Sequence, residues 1–89
     1  MKAIATVIGK DRVGIIADVS ALLAQRGVNV LDISQTVLQD YFTMIMLVDI
    51  SGAKEELSQL SDECAKMGAK IGMSIHLQHE EIFNAMHRV

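Results

Sequence analysis

Between Gly9 and Gly14 the chain reads GKDRVG, which sets Lys10, Asp11 and Arg12 in a short turn with a glycine at each end. Glycine adopts backbone angles closed to other residues and lets a ligand or another backbone come close. The amides that open the helix after such a turn point outward with no partner inside the helix. That corner suits a small polar or anionic molecule and needs no catalytic side chain. The Asp11 carboxylate could contact such a molecule or instead cap the helix, and both roles need the same geometry. Lys10 and Arg12 read as a solvated turn, because no glycine-rich Walker spacing surrounds them. The candidate ligand-binding residues of the corner are Gly9, Lys10, Asp11, Val13, Gly14 and Ile15.

Other reactive side chains are scattered. His76, His79 and His87 lack the spacing of metal ligands, and Cys64 falls on the apolar stripe of a helix, so no metal site is expected. Met44 and Met46 read as packing residues, since methionine commonly fills irregular cores. No nucleophile and base stand together in a recognisable motif, so no catalytic residue and no cofactor is assigned.

Composition narrows the class further. Eighty-nine residues make one domain, spanning 1–89, near the lower end of what a hydrophobic core sustains. The chain is 51% apolar but only 3% aromatic, so the core is built from Ile, Val, Leu, Ala and Met. A net charge of −3 argues against nucleic-acid binding, which rests on phosphate neutralisation by Lys and Arg. One cysteine excludes an internal disulfide, and no apolar run approaches a signal peptide or a membrane span. A cytoplasmic domain is the expectation.

The elements that must position the corner follow from periodicity. Residues 2–8 form a continuous apolar strand, and Ile15, Ile16, Val19, Leu22 and Leu23 make a helical stripe that ends before Gly27. Residues 28–38 read as a strand whose polar and apolar positions change parity around Leu31, which predicts a bulge or strong twist. Gln39 and Asp40 turn the chain into a strand at 42–50. Ser51 and Gly52 open a second helix with the stripe Ala53, Leu57, Leu60, Cys64 and Met67, and Gly68 closes it. Residues 69–78 alternate as a last strand, and residues 79–88, with Ile82, Phe83 and Met86, make a short terminal helix. This order predicts an α+β, ferredoxin-like βαββαβ sandwich: an antiparallel four-stranded sheet with both helices on one face. In the strand at 42–50, Phe42, Met44, Met46 and Val48 point one way, and Ile45 and Leu47 the other. That second apolar face predicts a homodimer or higher homo-oligomer built partly on residues 42–48, the alternative being partial cover by the terminal helix at Ile82, Phe83 and Met86.

With the turn GKDRVGI, the helix ADVSALLAQRG and the strand VNVLDISQ, the chain resembles the ACT domain over essentially its whole length. It is similar to small stand-alone bacterial ACT proteins, and to the ACT segments of formyltetrahydrofolate deformylase and the glycine-cleavage repressor. The resemblance implies a ligand-sensing module that binds amino acids or similar small molecules where two domains meet. By position, the family's glycine before the first helix is Gly14, its polar turn contact is Asp11, and the residue opening its second strand is Asn29, which joins the candidate ligand-binding residues. On that resemblance Asp11 could face the ammonium of an amino acid, with Asn29 and the helix-start amides holding its carboxylate. Amino-acid-sensing members often carry Asn at the place of Asp11 and a polar side chain at that of Gly9. With no catalytic or DNA-binding domain attached, a signal would pass between separate proteins, such as this chain and a metabolic enzyme. The reading is therefore a non-enzymatic regulatory module. Its alternative is a ligand-free interaction subunit docking on a partner enzyme.

Overall fold

The apolar run that opens the chain forms strand β1 (Lys2–Lys10), and its alternate residues Ala3, Ala5 and Val7 are fully buried. In this computed structural model, which describes residues 1–10 and 13–80, the remaining elements follow in βαββαβ order. They are α1 (Ile15–Gln25), β2 (Asn29–Leu38), β3 (Tyr41–Asp49), α2 (Leu57–Ile71) and β4 (Met73–His79). The sheet order is β2-β3-β1-β4 and every pairing is antiparallel, which is the ferredoxin-like arrangement. Of the terminal helix expected at 79–88, all but residues 79 and 80 fall outside the described residues.

The core is a single layer between sheet and helices. Ala3, Ala5 and Val7 of β1, Phe42, Met44, Met46 and Val48 of β3, and Met73, Ile75 and Leu77 of β4 face it. Ile15, Val19 and Leu23 of α1, each four residues apart, and Leu60 and Cys64 of α2 close it from above. At about 25 cal/mol per Å² of apolar surface removed from water, these aliphatic side chains supply the main driving force.

The end of α1 is a Schellman turn. Gly27 sits at φ 75, its amide donates to the Ala24 carbonyl at 3.1 Å, and the Val28 amide donates to Leu23 at 2.9 Å. Arg26 then ties this end to the other helix, with its Nε 2.6 Å from a Glu63 carboxylate oxygen and 3.7 Å from one of Glu55.

The parity change in β2 is a bulge at Leu31. Val30 pairs with Val48 and Asp32 with Leu47, leaving Leu31 unpaired. Beyond it, Ile33, Gln35 and Val37 lie opposite Met46, Met44 and Phe42, on the helix side. Gln39 takes φ 54 in the turn to β3.

Two sequence expectations for α2 are corrected. The helix begins at Leu57, after a turn at Ser51 and Gly52 in which the Ala53 amide bonds the Ile50 carbonyl at 3.1 Å. It ends at Gly72, at φ 75, and not at Gly68, so Ile71 belongs to the helix and the strand starts at Met73. Gly68 lies inside the helix and is buried against β4.

Among the described residues, no helix lies on the opposite sheet face. One row across it runs Ser34, Ile45, Thr6, His76, and its neighbours are Asp32, Leu47, Ile4, Gln78 and Thr36, Thr43, Ile8, Ser74. Of the residues expected to build a contact surface at 42–48, only Thr43, Ile45 and Leu47 lie here, because the other four are in the core.

Candidate functional site

Gly14 is the N-cap of α1 and sits at φ 90, so the chain enters the helix through a left-handed residue that has no side chain to cap it. Its carbonyl accepts the first helical bond, from the Asp18 amide at 2.9 Å. The amides of Ile15, Ile16 and Ala17 precede that bond and belong to the set a helix cannot satisfy internally. They line a cleft of about 270 Å³ together with Gly14, and with Gln35 and Val37 of β2 and Phe42 of β3. Among the described residues, its chain neighbours aside, nothing lies within 4 Å of where a Gly14 Cβ would be. These residues leave the corner open, with a positive helix terminus on one side and Gln35, Val37 and Phe42 on the other.

The other predicted residues fall in different places. Gly9 is the penultimate residue of β1, paired with Phe42 and Met73, and a Cβ on it would meet the Met73 sulfur at 2.5 Å. Its lack of a side chain thus serves packing against the start of β4. Lys10 follows it, exposed and paired with Tyr41, and Val13 is almost entirely solvent-exposed at 94%. Asp11 lies outside the described residues, as does Arg12. Asn29 does not join the corner. It pairs with Asp49, which pairs with Lys2, so it stands at the far end of the sheet from Gly9. Seven strand residues separate those ends, roughly 23 Å.

Ile16, Ala17, Gln35, Val37 and Phe42 were not among the sequence candidates. For Gln35 and Val37 the signal was present in the parity change at Leu31, which turns both toward the helices. Ile16 and Ala17 follow from the amide argument carried two residues past Ile15, within the same turn.

The remaining reactive groups are apart from the cleft. His76 lies within 3.0 Å of the Ser74 hydroxyl, Nε2 to Oγ, on the open sheet face. Among the described residues no three of His, Cys, Asp and Glu cluster as metal ligands would. Cys64 is buried, and burial, with the Glu63 charge beside it, pushes its thiol up to about 11. No helix among the described residues is long and apolar enough to cross a membrane.

The βαββαβ sandwich with a glycine corner at the start of its first helix defines a class, and comparison with known proteins gives the family. The sequence model of the ACT domain matches residues 2–78, and the chain belongs to the ACT domain family. A UPF0237 protein of Clostridium acetobutylicum is 56% identical over all of both chains. The solved structure of an ACT domain protein from Streptococcus pneumoniae superposes with a TM-score of 0.83, at 46% identity over 98% of each chain. A formyltetrahydrofolate deformylase from Pseudomonas syringae pv. tomato (22% identity, TM-score 0.77) and a putative glycine cleavage system transcriptional repressor (23%, 0.75) share the fold. The similarity spans 88% and 86% of this chain but only 27% and 44% of theirs. ACT domains are regulatory, and many bind amino acids.

Proposed function

We propose that this chain is a non-enzymatic regulatory module whose ligand is a small amino acid or related carboxylate, bound at the Gly14 cleft where two copies meet. The observation that carries the reading is the open space over Gly14 among the described residues, bordered by the first turn of α1, whose opening amides have no partner within the helix. A corner filled by its own side chains would favour the docking alternative instead. The ligand carboxylate lies on those amides, where the helix dipole favours negative charge. Its ammonium meets Asp11.

Assembly accounts for Asn29. Strand β2 is an edge, and antiparallel pairing of two β2 strands about a twofold axis sets the start of one beside the end of the other. Asn29 of a second copy then reaches the cleft that its own chain cannot.

Isothermal titration of the whole protein with the amino acids tests the site. Asp11→Asn keeps a capping acceptor but removes the charge, so it should weaken binding. Gly14→Val, which projects a side chain into the cleft, should abolish it in a folded protein. A ligand indifferent to Asp11→Asn refutes the ammonium contact, and one that survives Gly14→Val refutes the location.

A further inference from the structure

One side chain of the cleft stands out from its surroundings. On the helix side of β2, Gln35 sits between Ile33 and Val37 and opposite Met44. The other lining residues offer only hydrocarbon: Ile15, Ile16, Ala17, Val37 and Phe42. Among the described lining residues, Gln35 thus provides the sole side-chain hydrogen-bonding group. No described side chain bonds its carboxamide, which is left to solvent.

A carboxamide donates through its nitrogen, accepts through its oxygen and carries no charge. It therefore complements a neutral group that can do the same, a hydroxyl or another amide. A ligand carboxylate or ammonium placed on it would gain a hydrogen bond but no opposite charge from the described lining. A hydrocarbon tip would strip water from Gln35 and give it nothing in return.

We infer that Gln35 is the specificity-determining residue of the cleft. It hydrogen-bonds the side chain of an α-amino acid whose carboxylate lies on the α1 amides, and so selects small hydroxyl or amide side chains over charged or purely apolar ones. This inference rests on the proposed ligand site and goes beyond it in naming the selecting residue and the class selected.

Isothermal titration of the whole protein with L-serine, L-asparagine, L-alanine and L-aspartate separates the two. At least one of serine and asparagine should bind about tenfold more tightly than alanine and aspartate, the margin of one hydrogen bond. In Gln35→Leu the polar ligand should fall to within about threefold of alanine, with alanine binding kept. Should Gln35→Leu leave the preference unchanged while Gly14→Val abolishes binding, the site stands and the role of Gln35 is wrong. Should none of the four bind the wild-type protein, the ligand site fails and this inference with it.

Discussion

A Cβ on Gly68 would lie 2.6 Å from the carbonyl oxygen of Met73, so α2 and the first residue of β4 meet backbone to backbone. The contact explains a glycine in the penultimate turn of a helix, where alanine would otherwise be favoured by about 1 kcal/mol.

Gly68→Ala should therefore destabilise the fold despite its better helix propensity. Overpacking against backbone costs about 1–3 kcal/mol, and a domain of this size loses roughly 4–8 °C of Tm per kcal/mol. Calorimetry showing an unchanged or raised Tm would remove the packing account. Gly72→Ala, at φ 75 with open space around it, should lose stability through backbone strain alone.

Cys64 sets a pH dependence. Its thiol titrates near 9.0 when unfolded and at about 11 in the fold, because burial penalises the thiolate. Between those values the unfolded chain has released a proton that the native chain still holds, so stability falls as pH rises through that window. Denaturation of the wild type and of Cys64→Ala from pH 8 to 11 should show a steeper decline in the wild type. Parallel curves would contradict it. At pH 8, iodoacetamide should label the native protein far more slowly than the urea-unfolded one.

Self-association is expected because the sheet face that no described helix covers carries Ile4, Ile8, Ile45 and Leu47, and β2 is an edge among the described strands, flanked by Ile33 and Val37. Light scattering at micromolar concentration should give a multiple of 9.7 kDa. A monomer mass would sink both the oligomer and the two-copy site. Ile45→Lys disrupts the face and Val37→Lys the edge, so whichever shifts the mass downward identifies the surface in use.

Much of this architecture was legible in the chain because two periods are hard to confuse. The β1 run, the α1 stripe, the Gly27 stop and the Leu31 parity change each appear in the structure where the pattern put them. Around α2 the pattern misled for a physical reason. Ala53 continues the apolar spacing of Leu57, Leu60 and Cys64 while sitting in a turn that also packs on the core. Ile71 shares the odd-numbered alternation of Met73, Ile75 and Leu77 although Gly72 separates helix from strand. Asn29 joins the corner only through its position in the family pattern. An eleven-residue helix nevertheless carries the chain roughly 16 Å away before β2 begins.

Leu31 touches no part of the cleft, yet the bulge it makes is what lets this sequence line it. Strand side chains alternate, and Val30 and Ile33 both face the helices only because Leu31 is left out of the ladder. Deleting Leu31 would iron out the bulge and leave Asp32 opposite Leu47 and Ile33 opposite Met46, so the pocket wall would keep its residues. Deleting Asp32 as well would turn Ser34 and Thr36 toward the helices and Ile33, Gln35 and Val37 away. In an evolving gene, this point therefore absorbs the loss of one codon but not of two.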